Sequence, residues 1–196
     1  MTDVARPASS LQGVRYGAVV RHGDGRGSFR ELWRASDYPA GGIAAELAGV
    51  DGARFVQANL STSAAGVLRG LHYHRHQLDR WVVAAGRAFV ALVDVRPVLA
   101  GAGPAAVETR ELAADEWIEI PAGVAHGFLA LESLDLVYLV TAEFDDSDEL
   151  GFAWDDPAVG VPWPASLPAT PDGRPILSER DRTNPALADL VAGLRG

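Results

Sequence analysis

Eight short β-prone segments, at 54–60, 66–73, 79–85, 87–95, 106–112, 116–120, 125–131 and 134–141, follow one another at near-regular spacing through the middle of the chain. Strands recurring at roughly 8–12 residues with turn signals between them predict an all-β sandwich or barrel. Residues 89–95 alternate in apolar character, as a strand with one buried face does. Residues 136–140 are apolar throughout, which predicts a strand buried between layers. Gly86 and the run Gly101, Ala102, Gly103, Pro104 mark turns. Helical signal is confined to 43–48 and to 185–194, where Asn184 reads as an N-cap and Pro185 as the first helical residue. Residues 154–175 are rich in Pro, Asp and Gly and read as an ordered excursion over the barrel, since Trp154, Trp163 and Ile176 would otherwise be exposed.

With 196 residues, 48% of them hydrophobic, the chain is expected to form a single domain, 1–196, with a barrel core at about 50–145 and a C-terminal excursion and helix at 150–196. A formal net charge of −9 argues against nucleic acid or an anionic membrane as partner, so an anionic ligand must be held by a few placed arginines. There is no cysteine, which excludes disulfides, thiolate metal sites and thiol nucleophiles and leaves histidine and carboxylate as metal ligands. All seventeen basic residues are arginine, so no mechanism can use a lysine. The first twenty residues carry two arginines and no apolar run, and no stretch is apolar enough to span a membrane, so a cytoplasmic protein is expected.

His72, His74 and His76 form H-Y-H-R-H. Residues two apart on a strand share a face, so the three imidazoles are expected on one side. The wider pattern is Gly70, His72-x-His74, four residues, Asp79, six residues, Gly86, and later Pro121-x-Gly123-x-x-His126. It resembles the two metal-binding motifs of the cupin superfamily, with aspartate in place of the usual glutamate. The resemblance implies His72, His74, Asp79 and His126 converging on a divalent metal with coordination positions left for substrate.

A closer resemblance runs from about Gly25 to the C-terminal region. It is carried by FVQAN at 55–59, GVLRGLHY at 66–73, IPAGVAHGF at 120–128, WDDP at 154–157 and PILSERD at 175–181. These segments are similar to the dTDP-4-dehydrorhamnose 3,5-epimerase family. The resemblance implies a double-stranded β-helix (jelly-roll or cupin-type barrel) with short peripheral helices, no required cofactor, and a dTDP-linked keto-sugar as substrate. It implies His72 as the base that removes a proton beside the ketone, Asp181 as its orienting partner, and Tyr138 as the acid on the opposite face. An imidazole with a carboxylate partner suits general-base work near neutral pH. Arg69 and His126 match diphosphate-binding positions, Gln57 and Asn59 sugar-pocket positions, and Phe144 an aromatic that stacks on the thymine. Arg26, Phe29 and Glu31 match an N-terminal segment that reaches into the neighbouring subunit of a homodimer.

One departure stands out. Where the family places a lysine that stabilises the enolate, this chain has Asp79. Three readings stay open: an epimerase acting at carbon 3, carbon 5 or both; a metal-dependent cupin isomerase or oxygenase using the His72, His74, Asp79, His126 set; and a nucleotide-sugar-binding relative with altered catalysis. In the first two His72 has incompatible duties, because an imidazole nitrogen bound to metal is not free to take a proton.

Overall fold

The computed structural model describes residues 8–145, 147–165, 170 and 173–195. Its strands are β1 (Arg15–Ala18), β2 (Arg21–Asp24), β3 (Gly27–Arg30), β4 (Gln57–Ser63), β5 (Leu68–Tyr73), β6 (Asp79–Ala85), β7 (Arg87–Asp94), β8 (Ala106–Ala113), β9 (Glu116–Ile120), β10 (Val124–Ala130), β11 (Leu134–Val140) and β12 (Leu150–Gly151). The helices are α1 (Ala45–Ala48), α2 (Arg96–Leu99), α3 (Glu179–Thr183) and α4 (Leu187–Arg195). β4 to β11 are the eight segments expected from the pattern; β6 and β9 match residue for residue. Two five-stranded antiparallel sheets face each other, ordered β1-β9-β6-β11-β4 and β12-β5-β10-β7-β8, and form the double-stranded β-helix. β2 and β3 make a separate two-stranded hairpin.

The alternation along the strands assigns each residue to a layer. Val83, Ile118 and Leu136 of the first sheet meet Val90, Leu92 and Phe128 of the second in the core between them. The alternate residues of the second sheet, Leu71, Tyr73, Ala91, Val93 and Ala125, point the other way and are covered by Phe152, Leu187 and Val191. The second sheet is therefore apolar on both faces, and β10 is buried along its whole length. The expectation that the 136–140 run lies between layers is corrected: Leu136 and Val140 are buried, but Val137 and Leu139 are only half-buried on the outer face of the first sheet. Among the described residues, no apolar cluster like that over the second sheet covers Val137 and Leu139.

The C-terminal segment supplies the second layer. Trp163 packs against this outer core and donates its indole N–H to the Trp154 carbonyl (2.8 Å). Ile176 remains half exposed, contrary to expectation, and is held by its backbone: Leu68 N–H donates to its carbonyl (3.0 Å) and its own N–H donates to the Gly66 carbonyl (2.9 Å). The cap of α4 also differs. The helix starts at Leu187, whose N–H donates to the carboxylate of Asp156 (2.8 Å), so the excursion and not Asn184 closes this helix end. β1, a four-residue strand with few apolar positions, was not foreseeable from periodicity; it forms one edge of the first sheet by pairing with β9.

Phe152 is fully buried against the second sheet, and its N–H donates to the Leu71 carbonyl (3.0 Å). Phe152→Ala is expected to cost about 3–5 kcal/mol in equilibrium urea unfolding. A cost below about 1 kcal/mol would show that the C-terminal layer is not part of the cooperative unit.

Candidate active site

One extra residue in β5 shapes the pocket. His126 of β10 pairs with His72, yet Phe128, two residues on, pairs with Arg69, three residues back. A β-bulge of this kind re-aims side chains. Leu71 and Tyr73 keep their places on the outer face, while both Arg69 and His72 line the cavity between the sheets. The bulge needs Gly70. Its φ is +123°, and a Cβ there would stand 2.6 Å from the Cα of Gly127.

The cavity, about 250 Å³, opens between β5 and β10 on one wall and β6 and β11 on the other. On the first wall His72 Nε2 lies 2.8 Å from Asp181 Oδ1. Asp181 is 4% exposed and is placed by the first turn of α3, where Ser178 caps the helix: the Asp181 N–H donates to Ser178 Oγ (3.1 Å), and that hydroxyl donates to Asp181 Oδ2 (2.9 Å). Burial pushes the Asp181 carboxyl up, but hydrogen bonds from His72, Ser178 and the Gly70 N–H outweigh it and hold the group below the usual carboxylate range. An ionised carboxylate only accepts, so His72 Nε2 carries the hydrogen and Nδ1 is the nitrogen able to take a proton. On the opposite wall, the half-buried Tyr138 sits in β11, paired with Trp81 and Asn59. Burial first, then the nearby Asp79, raises its hydroxyl above the ordinary tyrosine range, so it stays protonated.

A second group lies deeper. His74, Asp79 and His126, exposed by only 5%, 4% and 4%, bring one ligand atom each to within 4.8 Å of one another. His72 is not in this group. Of the four residues expected as one ligand set, His72 stands apart with its Nε2 on Asp181, while His74, Asp79 and His126 come together. His74 is buried although β5 ends at Tyr73. The loop is clamped by Asp148, whose carboxylate accepts from the N–H groups of Arg75 and His76 and whose carbonyl accepts from His74 Nδ1 (2.9 Å). His76 is exposed, so the three-histidine face does not form.

The other expected residues divide by location. Arg69 lines the cavity and donates to Ser63 Oγ (3.1 Å). Gln57 donates to Asn59 Oδ1 (2.9 Å) and accepts from the N–H of Phe144 (3.1 Å), so these three stand together beside Tyr138. His126, matched to a diphosphate-binding position, is buried in the cavity wall: burial pushes it down to about 4, and it faces the Asp79 carboxylate at 3.7 Å. Arg26 and Glu31 pair locally with Asp24 and Arg34, and Phe29 is 69% exposed on the β2–β3 hairpin, so none of the three lines this chain's own cavity. Arg80 points to the opposite side of β6 from Asp79, where it pairs with Glu119 (2.7 Å) and lies over Trp117. Sequence reasoning missed Arg180, a second arginine at the cavity, and Gln77 and Trp81, which donate to the two oxygens of Asp79 (2.7 and 3.0 Å). The i, i+2 spacing of these residues about Asp79 is the signal that was available.

The profile of the dTDP-4-dehydrorhamnose 3,5-epimerase family matches residues 8–189. The chain belongs to that family. It is a nucleotide-sugar epimerase, an enzyme of the isomerase class. The dTDP-4-dehydrorhamnose 3,5-epimerase of Pseudomonas aeruginosa is 38% identical over 138 residues, covering 69% of this chain and 73% of that one. The dTDP-6-deoxy-D-glucose-3,5-epimerase RmlC of Legionella pneumophila, solved with dTDP-4-keto-L-rhamnose, superposes with a TM-score of 0.76 at 30% identity, covering 95% of this chain and 94% of that one. ChmJ, a 3′-monoepimerase of Streptomyces bikiniensis solved with dTDP-quinovose, gives 0.74 at 30% identity, covering 95% and 90%. Both double and single epimerases thus share the fold of this family member.

Within this epimerase the bulge at Gly70 is open to test. Gly70→Ala meets both an unfavourable φ and a backbone clash, and is expected to destabilise by about 2 kcal/mol or more in chemical denaturation. Gly25→Ala, with open space around its Cα, should change stability by less than about 0.5 kcal/mol. Equal effects at the two sites would contradict the packing described for β5 and β10.

Proposed function

We propose that the pocket binds a dTDP-linked 4-keto-6-deoxyhexose and inverts a carbon beside its ketone, at position 3, position 5 or both. The observation that carries this reading is the His72–Asp181 pair on one wall of the cavity with Tyr138 on the other. His72 takes the proton α to the ketone, leaving an enolate, and Tyr138 returns a proton from the opposite side, which inverts the carbon. Asp181 keeps the His72 ring oriented and balances the charge it gains. Arg69 serves the diphosphate, for which a guanidinium fork is suited. Gln57 and Asn59 bind the sugar, and Phe144, exposed at the rim, stacks on the thymine.

The enzyme acts as a homodimer in this reading. Among the described residues the β2–β3 hairpin joins neither sheet by strand pairing, though Arg21 and Arg30 anchor it to Asp115, and it carries Phe29 outward, which suits a segment that completes the pocket of a second copy with Arg26, Phe29 and Glu31. No helix of the described residues is long and apolar enough to cross a membrane, and a cysteine-free chain working on a nucleotide sugar fits the cytoplasm.

The test is solvent deuterium incorporation into dTDP-4-keto-6-deoxyglucose, followed by proton NMR at carbons 3 and 5. Wild type should label at least one of them. His72→Ala should slow labelling by about 100- to 10,000-fold. Tyr138→Phe should exchange the proton while forming little inverted product. Absence of label at both carbons, with and without added divalent metal, would contradict the proposal.

A further inference from the structure

The epimerase reading leaves Asp79 unexplained. It sits 4% exposed in the wall of the sugar cavity, and among the described residues no arginine pairs with it. Its two oxygens receive hydrogen bonds from neutral donors, the Gln77 amide and the Trp81 indole. The imidazoles of His74 and His126 stand beside it, with His126 Nε2 at 3.7 Å, too far for a hydrogen bond. An anion at this place would oppose the enolate that deprotonation creates.

The two histidines are set up alike. His74 Nδ1 faces the Asp148 carbonyl (2.9 Å) and His126 Nδ1 faces the Val124 carbonyl (3.2 Å). A carbonyl can only accept, so each ring carries its hydrogen on Nδ1 and keeps a lone pair on Nε2, which in His126 lies 3.7 Å from Asp79 and in His74 3.8 Å from Glu149, another carboxylate at the cavity. Fixing the outer nitrogen in this way is how metal-bound histidines are oriented, and the hydrogen bonds to Asp79 play the same part for the carboxylate. Two imidazole nitrogens and one carboxylate oxygen form a donor set for a first-row divalent ion such as Co²⁺, Zn²⁺, Fe²⁺ or Mn²⁺.

We propose that His74 Nε2, Asp79 and His126 Nε2 bind one divalent transition-metal ion, whose open coordination positions face the cavity and take the ketone oxygen of the sugar. The role of the ion rests on the epimerase reading; its binding does not. When His72 removes the α proton, the C–H electron pair becomes the enolate double bond and the carbonyl π pair moves to the oxygen, where the ion holds it. Protonation at carbon by Tyr138 reverses that movement, and His72 and Tyr138 regain their starting states by exchange with water. No oxidant or reductant is needed. The ion takes the place of the family lysine, whose position is Asp79 in this lysine-free chain.

The probe is Co²⁺ alone, added to chelator-treated full-length protein and followed by calorimetry and by its visible d–d absorption. Wild type should bind one ion per chain. His74→Gln, Asp79→Asn and His126→Gln should each weaken binding by about 100-fold or more, beyond the ~10- to 100-fold typical of losing an outer-shell partner. His72→Asn should bind as wild type does, since His72 is not a ligand. Circular dichroism establishes that each variant is folded, and the wild-type titration stands without any of them. Failure of wild type to bind Co²⁺, or unchanged binding in folded Asp79→Asn, overturns the site. Chelated enzyme should exchange substrate deuterium at least tenfold more slowly and recover on adding Co²⁺. Undiminished exchange without metal overturns the role of the ion and leaves the epimerase reading intact. No exchange in either state overturns that reading, while the ion site stands on the titration.

Discussion

The 2.8 Å contact between His72 and Asp181 joins residues 109 positions apart, and much of the structure is arranged to make it. For Asp181 to reach the barrel, the chain after β11 has to return across the second sheet. It does so by burying Phe152, packing Trp163, and bridging Ile176 to the strand that leads into His72. α3 is only five residues long, but its capping serine and its third residue are the groups that hold the carboxylate in place. A layer that could be read as decoration on a β-barrel is what holds the carboxylate against His72. Because burial of Asp181 works against ionisation, the hydrogen bonds from three directions are needed to keep it a useful partner.

The same contact divides the pocket. With Asp181 holding His72 Nε2, that nitrogen is not open to a metal, and the imidazoles grouped with Asp79 are His74 and His126. The bulge at Gly70 turns Arg69 and His72 toward the cavity together, and the clamp by Asp148 buries His74 just past the strand end. Two functions that compete for one residue on paper are separated in space by about two positions of chain. Asp79, the chain's departure from its family, falls on the His74 and His126 side of that division.

Strand periodicity made the fold legible, since β4 to β11 each had to bury a face and their turns were marked. It misjudged β11, because an apolar run does not say whether both faces are covered, and here β10 is buried along its length while β11 is half-buried at Val137 and Leu139. His72, Asp79 and His126 were legible from motif spacing. The bulge was not, because an extra residue in one strand is defined by its partner's register and leaves only a glycine behind. His74 was expected on the right face for the wrong reason, as its burial comes from a loop clamp and not from strand continuation. The cap of α4 came from Asp156, thirty-one residues away, which no local pattern could indicate.

His72 with Asp181, and His74 with Asp79 and His126, form two neighbouring groups in one cavity. Anomalous diffraction at the metal's absorption edge, from crystals of the protein soaked with Co²⁺, distinguishes them. One peak is expected within bonding distance of His74 Nε2, Asp79 and His126 Nε2, with His72 still hydrogen-bonded to Asp181. A peak coordinated by His72, or full occupancy of Co²⁺ elsewhere with this cluster vacant, would contradict it.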